Sequence, residues 1–406
     1  MKKQKFEIKN KLLYLLRKNM KKALIVAGTA SMIQQFNLNN IEILEKLGYQ
    51  VDITANFDFG STFSLEKVKY FQNRLLNENK NVYNISFTRD LSDIKNMLKS
   101  YKQIKNLIET NQYTLIHCHM PICSAITRLA CKHARTQEDL KVIYTAHGFH
   151  FYKGAPIQNI LAYKTVEKWM ARYTDALITI NQEDYAVAKK FRFKQDGEAY
   201  YVPGIGIDTK RYQNIKVDKK EKRKELNISE DKFVILSVGE LNDNKNHQIV
   251  LRALSICNNK KLVYLICGEG FLKTELKNLS KELMIENQVK LLGYRTDIIE
   301  IMKIADVFVH PSKREGLPVA LMEAMACNLP IIASNVRGNT DLVENNINGF
   351  VCNVNKIETY VEALNLMYEN KVLLKKMGEN NLERIQAFDL HIVKKEMKKI
   401  YEINTK

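Results

Sequence analysis

From Ala23 to Val202 the chain repeats one pattern: a short unbroken apolar run, a polar turn, then a longer stretch with helical spacing. The apolar runs are Ala23–Ala27, Val51–Ala55, Val82–Phe87, Leu115–His119, Val142–Ala146, Ala176–Ile180 and Ala199–Val202. They are rich in Val and Ile and do not alternate with polar residues. Strands buried on both faces of a parallel sheet read this way; half-exposed antiparallel strands do not. Helical stretches such as Asp93–Thr110 and Ile157–Tyr173 separate most of the runs. The repeating unit is therefore β-α, and the sheet is expected to be doubly wound.

The pattern breaks at Pro203-Gly204-Ile205-Gly206-Ile207-Asp208, a turn-rich hinge, followed by the charged helical stretch Lys216–Leu226. It then restarts with Phe233–Val238, Leu262–Cys267, Val289–Leu292, Val307–His310 and Ile331–Ala333, and closes on a helical stretch, Leu390–Glu402. A length of 406 residues fits two domains of ordinary size. The expected division is an extension at 1–19, a first Rossmann-like domain at 20–205, a second at 206–388, and a C-terminal helix at 389–406 returning to the first. Ligands of such domains lie at the carboxyl ends of the strands, here in a central cleft that the two domains are expected to face.

Charge and composition add limits. The net charge is +18, and residues 1–22 hold nine Lys/Arg against Glu7. Within 1–19, Ile8, Leu12, Leu15 and Leu16 share one helical face among lysines, as in an interfacial helix. A solvated tail, or a translation start at Met20, would account for the same residues. The basic surplus fits nucleic acid, an anionic membrane or a phosphorylated substrate without choosing among them. Seven cysteines without a C-x-x-C pair read as reduced core thiols. There is no evident secretory signal and no apolar stretch long enough to span a membrane. A cytoplasmic location is the expectation these features support.

The segment His310–Ala326, HPSKREGLPVALMEAMA, carries the most chemistry. It leaves a strand, turns at Arg314-Glu315-Gly316 and enters a helix behind Pro318, a residue favoured in a first helical turn. Glu315 stands at the carboxyl end of the strand, and Glu323 sits about one and a half turns into the helix. A helix N-terminus binds anions through its free N–H groups. Carboxylates on either side accept hydrogen bonds from paired hydroxyls. A ligand joining a sugar, a diphosphate and a ribose would use all three. Ordinary solvation of a loop and a helix surface would also explain both glutamates.

Other loops follow strands in the same way. Gly239 and Glu240 precede Lys245, a spacing that lets backbone turn aside and a cation reach a diphosphate. Gly268-Glu269-Gly270 permits close backbone approach, and Arg295 follows the next strand. In the first half, Gly28 and Thr29 follow the first strand, and His119 ends the strand Leu115–His119. His147 precedes Gly148 in a loop, where an imidazole can transfer a proton or bond a sugar. His117-Cys118-His119 lacks a third or fourth partner with metal-ligand spacing, so no metal site is expected.

The run from His310 through Glu315-Gly316 and Glu323 to Asn328-Leu329-Pro330-Ile331-Ile332-Ala333-Ser334 resembles the E-x7-E signature of glycosyltransferase family 4, retaining enzymes of the GT-B fold. Arg337-Gly338-Asn339-Thr340-Asp341 and Asn348-Gly349-Phe350 extend the likeness. Thr145–Pro156, Glu167-Lys168-Trp169 and Ile178–Asp184 resemble the bacterial exopolysaccharide and capsule branch of that family. The resemblance covers residues 20–405. It implies that Glu315 holds the donor sugar, that Glu323 holds the ribose, and that Gly316 and Leu317 approach sugar and phosphate through their backbone. It further implies that Lys245 and the loops bearing Gly28, Gly239, Glu240, Gly268, Glu269, Gly270 and Arg295 surround the nucleotide, with His119, Thr29 and His147 on the acceptor or sugar side. Family members commonly carry an Arg where this chain has Glu240, and two glycines where it has Cys123-Ser124.

The implied reaction moves a hexosyl or N-acetylhexosaminyl group from a nucleotide-sugar, UDP-linked by expectation, to a hydroxyl of a lipid-linked surface polysaccharide, with retention. No cofactor or metal is implied, and no Asp-x-Asp occurs in the chain. The expected partners are the nucleotide-sugar, a lipid-linked oligosaccharide and the inner membrane surface, without specific nucleic acid. The expected location is the cytoplasmic face of the cell membrane. A nucleotide-sugar 2-epimerase-like enzyme of the same fold is the alternative; a basic nucleic-acid-binding protein is a more remote one.

Overall fold

The computed structural model describes residues 21–60, 63–134, 139–152 and 154–405. The amphipathic extension expected over 1–19 lies outside them. The described residues divide into two compact units, one running up to Ile205 and taking in the C-terminal segment from Lys394, the other Gly206–Val393.

The first unit holds a seven-stranded sheet in the order β3-β2-β1-β4-β5-β6-β7. Its strands are β1 Lys22–Val26, β2 Gln50–Ala55, β3 Val82–Asn84, β4 Leu115–His119, β5 Lys141–Ala146, β6 Ala176–Thr179 and β7 Glu198–Tyr201. Neighbours pair in parallel throughout, with Val26 beside Cys118 and Cys118 beside Tyr144. The central strands are buried almost completely, as their unbroken apolar runs require. Strand β3 is shorter than the apolar run suggests. After Asn84 the chain tightens into a turn in which the Phe87 N–H bonds the Ile85 carbonyl at 2.7 Å. Ile85 and Phe87 stay buried; the Ile85 N–H still bonds the Ala55 carbonyl of β2 at 3.0 Å, but neither residue extends the strand.

The steps from β3 to β4, β4 to β5 and β5 to β6 run in one direction across the sheet. Right-handed crossovers therefore place helices Ile94–Asn111, Pro121–Ala134 and Ile157–Ala171 on one face. The steps through β1, β2 and β3 run the other way and cover the opposite face. A buried ion pair, Arg128 Nη2 to Glu167 Oε2 at 2.8 Å, fixes helix Ile157–Ala171 to helix Pro121–Ala134. Tyr144 donates to the other Glu167 oxygen at 3.0 Å. The C-terminal helix, Leu390–Asn404, brings Tyr401 into this unit's interior, and Lys394 pairs with Glu42 at 2.7 Å.

The second unit holds a six-stranded parallel sheet in the order β10-β9-β8-β11-β12-β13. The strands are β8 Phe233–Val238, β9 Leu262–Cys267, β10 Val289–Gly293, β11 Val307–His310, β12 Ile331–Ser334 and β13 Gly349–Cys352. The edge strand β13 is absent from the sequence reading. Its four residues begin with glycine behind Asn345, Asn346 and Asn348, a composition that reads as a turn. Its pairing with β12 is a tertiary outcome. The ends of the unit are tied together, with Ile207 bridged to Asp389 and Thr209 Oγ1 donating to Asp389 Oδ2 at 2.6 Å.

Candidate active site

In the second unit the strand order reverses between β8 and β11, which pair directly. Loops leaving two such strands diverge to opposite faces and open a crevice at the carboxyl edge, where ligands of open α/β sheets bind. The β8 loop carries Lys245 and the β11 loop carries Glu315. Lys245 Nζ lies 2.6 Å from Glu315 Oε1, and His310 Nε2 lies 3.0 Å from the same oxygen.

Hydrogen bonds to backbone carbonyls hold the two loops together. Asn244 Nδ2 donates to the Arg314 carbonyl at 3.0 Å, Asn246 Nδ2 to the Pro311 carbonyl at 3.2 Å, and the Lys313 N–H to the Asn244 carbonyl at 2.7 Å. Gly239 permits the approach of the lysine: a Cβ there would stand 3.2 Å from Lys245 Cε. The β12 loop closes from the other side. Arg337 Nε donates to the Glu315 carbonyl at 3.1 Å. Gly338, at φ +78°, passes so close that a Cβ would lie 2.4 Å from the Gly316 carbonyl oxygen.

Burial alone would push the Glu315 carboxyl up. The Lys245 charge and the hydrogen bonds from His310 and Lys245 outweigh burial and hold it well below the usual carboxylate range. Burial and the Lys245 charge push His310 down against the pull of Glu315. The ring is therefore neutral at physiological pH. An ionised carboxylate only accepts, so the hydrogen shared with Glu315 is on His310 Nε2. Glu315 is thus a fixed, charged acceptor suited to sugar hydroxyls, and it carries no proton to donate.

Glu323 lies in helix Val319–Ala326, whose N-cap, Pro318, makes no side-chain capping bond. Its Oε1 accepts from Tyr212 Oη at 2.6 Å. Burial pushes the Glu323 carboxyl up, against the Tyr212 bond and the Arg211 charge. Leu317 is buried at the turn, next to Gly316. Among the other expected residues, Gly268 and Gly270 follow β9, and a Cβ on Gly268 would collide with the Gly239 carbonyl. Glu240 is exposed. Glu269 is also exposed and bonds Lys273 at 3.2 Å. Arg295 stands in an ion-pair group, with Nε 2.7 Å from Asp297 Oδ1 and Nη2 3.0 Å from Glu225 Oε1.

The first unit has a reversal of its own, between β1 and β4. Gly28 and Thr29 follow β1 and are buried, with Thr29 Oγ1 3.1 Å from Ser31 Oγ. His117 and His119 project to one side of β4, their rings 4.2 Å apart. His117 is held between Tyr401 Oη at 2.7 Å and Thr145 Oγ1 at 2.8 Å. Burial, then the charge of His147, pushes His117 down to about 3. His119 Nδ1 lies 3.2 Å from His147 Nε2, while His119 Nε2 is buried without a hydrogen-bond partner. Burial lowers His119 strongly, with His117 and His147 adding to the effect, and lowers His147 to about 4. All three rings are neutral at physiological pH. Among the described residues, no group of three or more His, Cys, Asp or Glu side chains is placed to hold a metal ion.

Sequence reasoning missed three contributors to the site in the second unit. His310 was visible as the end of β11, but nothing local assigned it to Glu315. Arg337 lies in a recognised string without a role. Tyr212 reaches Glu323 across 111 residues, and no local signal marks it.

Residues 218–384 match the Glycosyl transferases group 1 family, and residues 34–181 match the Glycosyl transferase 4-like family. A Bacillus subtilis (strain 168) protein assigned as a glycosyltransferase, EpsD, is 33% identical over 384 residues, covering 94% of this chain and 96% of that protein. The Escherichia coli UDP-Gal:alpha-D-GlcNAc-diphosphoundecaprenol alpha-1,3-galactosyltransferase is 33% identical over 292 residues, covering 70% and 74%. The crystal structure of Anabaena HepE in complex with UDP-glucose is similar in fold, with a TM-score of 0.74 at 19% identity, covering 95% of this chain and 100% of that one. Two Rossmann-like parallel sheets of this kind are the GT-B fold. The chain belongs to the glycosyltransferase family that these matches define.

Proposed function

We propose that the protein transfers a hexosyl or N-acetylhexosaminyl group from a UDP-sugar to a hydroxyl of a lipid-linked precursor of a bacterial surface polysaccharide, with retention at the anomeric carbon. The observation that carries this reading is the Lys245–Glu315 pair at the β8/β11 reversal, beside the uncapped N-terminus of helix Val319–Ala326. The helix N–H groups and Lys245 suit a diphosphate. Glu315 suits the hydroxyls of the transferred sugar and Glu323 those of the ribose. As the glycosidic C–O bond breaks, negative charge builds on the leaving diphosphate, where these groups stabilise it. The acceptor oxygen bonds the anomeric carbon on the face the diphosphate leaves, and its proton passes to a donor phosphate oxygen. His147 is assigned to positioning the sugar. The nucleotide-sugar is a co-substrate, and no further cofactor enters the scheme.

The E. coli relative supports the substrate class, since its name specifies a UDP-linked donor and a diphosphoundecaprenol-linked acceptor. The HepE neighbour was crystallised with UDP-glucose. An acceptor of that kind would be met at the inner face of the cell membrane, which is part of the proposal. The test is incubation with a panel of UDP-sugars, with and without sugar-diphosphoundecaprenol acceptors. Transfer that requires the acceptor supports the reading. Epimerised donor formed without acceptor would replace it with the epimerase alternative.

A further inference from the structure

A buried line of polar side chains runs beneath the β8/β11 reversal. The parallel pairing of the two strands reaches Leu236 and Phe308. At the next position the Ser237 hydroxyl donates to the Val309 carbonyl at 2.6 Å. Tyr264, on β9, donates to Ser237 Oγ at 2.8 Å. The Tyr264 oxygen lies 3.2 Å from His247 Nδ1. His247 is the first residue of helix His247–Cys257, two positions after Lys245. Ser237, Tyr264 and His247 are all buried.

The direction of each hydrogen bond in this line is fixed from one end. A carbonyl only accepts, so Ser237 places its hydrogen on Val309. Tyr264 then places its hydrogen on Ser237. The Tyr264 oxygen is left to accept from His247, which makes Nδ1 the nitrogen that carries the hydrogen. Burial, then the charges of His310 and Lys245, push His247 down to about 3 against the pull of the Glu240 backbone. The ring is therefore neutral, and Nδ1–H is its one N–H.

Three polar groups in an apolar core are no more stabilising than aliphatic groups of the same shape; what they add is a fixed geometry. That geometry matters here because the helix start is not held by its cap. Asn246, the N-cap, stands at φ +54° and makes no side-chain capping bond. Its amide donates instead to the Pro311 and Val354 carbonyls, at 3.2 and 3.3 Å. His247 ties the helix start to β9, and through it to β8 and β11. The loop 239–246 holds one cationic residue, Lys245. A shift of the helix start therefore moves the loop's cation relative to Glu315.

We propose that His247 is a positioning residue: as the Nδ1–H tautomer, anchored through Tyr264 and Ser237, it holds the start of helix His247–Cys257 so that Lys245 reaches the donor diphosphate. The inference rests on the reading of a nucleotide-sugar donor and adds to it a residue that acts through Lys245.

The experiment titrates the full chain with UDP and with uridine, followed by ligand NMR. Uridine lacks the diphosphate and does not sense Lys245. His247→Leu weakens UDP by roughly 10-fold and leaves uridine within about 2-fold. Added to Lys245→Met it causes no further loss, because both changes remove one contribution. His247→Asn, whose amide nitrogen stands where Nδ1 does, restores most of the UDP affinity. Tyr264→Phe removes a single hydroxyl and gives the same pattern at roughly 3-fold, which keeps the test standing if His247→Leu fails to fold. Long-range proton–nitrogen spectra of the histidine-labelled parent chain show His247 protonated on Nδ1. The inference is overturned if that ring is protonated on Nε2, or if His247→Leu and Tyr264→Phe bind UDP like the parent chain. It is also overturned if UDP and uridine weaken together, or if the losses from His247→Leu and Lys245→Met add. Those outcomes leave the donor reading intact, since the parent chain still binds UDP; a parent chain that binds no UDP removes both.

Discussion

Lys245 and Glu315 stand seventy residues apart in sequence and 2.6 Å apart in space, joined at the point where the second unit's strand order reverses. The contact ties the loop after β8 to the loop after β11. It also keeps the carboxylate ionised at a partly buried position.

Removing one partner therefore has two effects. Lys245→Met leaves Glu315 without its counter-charge and costs about 2 kcal/mol of stability, less than for a fully buried pair because both side chains keep some exposure. Lys245→Met/Glu315→Gln recovers most of that stability and no transfer activity. Denaturant melts paired with transfer rates check this. A double variant that regains activity would separate the lysine from the diphosphate.

Tyr212 acts on Glu323. Burial raises the Glu323 carboxyl, and the Tyr212 hydrogen bond opposes the rise. Nucleotide affinity that needs the carboxylate is full above the pKa of Glu323 and falls as the pH drops through it. Tyr212→Phe lets the pKa climb further, so the acid limb of UDP affinity moves to higher pH. Glu323→Gln flattens that limb and does not destabilise the free protein, because Tyr212 still has an oxygen to donate to. Superimposable limbs for the parent chain and Tyr212→Phe would contradict this.

The buried histidines make the first unit sensitive to acid. His117 is held near 3 by burial and then by the charge of His147, and His147 is held near 4 by burial. Unfolded, both would take protons near pH 6.5, as ordinary histidines do (about that value). Below that pH the unfolded state binds more protons. The stability these rings contribute is whole above it and is lost as the pH falls toward the folded values. Denaturant melts between pH 7.5 and 5 show the decline. His117→Gln, which still reaches Tyr401 or Thr145, gives a shallower one.

Gly338→Ala tests the packing of the β12 loop. The new methyl group would meet the Gly316 carbonyl at 2.4 Å on a backbone at φ +78°. The expected cost is about 2 kcal/mol, with loss of transfer as the turn bearing Glu315 is displaced. Unchanged kinetics would show that the turn tolerates displacement.

The repeated β-α units were legible because each central strand is buried on both faces and must be apolar throughout. Strand β13 was not, since a four-residue edge strand beginning at Gly349 has no such requirement. Glu315, Glu323 and Lys245 could be picked out one by one from strand ends and helix starts. Their partners could not. Tyr212 and Glu323 are brought together by helix packing, as are His117 and Tyr401, 284 residues apart. No periodicity encodes contacts of that kind. The exposure of Ile94, Leu98, Ile157 and Leu161 was hidden for the converse reason: aliphatic residues at helical spacing read as core until the structure leaves them uncovered.

Calorimetric titration with UDP and with UDP-hexoses separates the proposed roles of Glu315, on the transferred sugar, and Glu323, on the nucleotide. Glu323→Gln is expected to weaken UDP and the UDP-hexose alike by roughly 10-fold or more, while Glu315→Gln leaves UDP within about 3-fold and removes the affinity added by the sugar. A Glu315→Gln protein that keeps the sugar's added affinity and full transfer, or a Glu323→Gln protein that binds UDP like the parent chain, would contradict those roles.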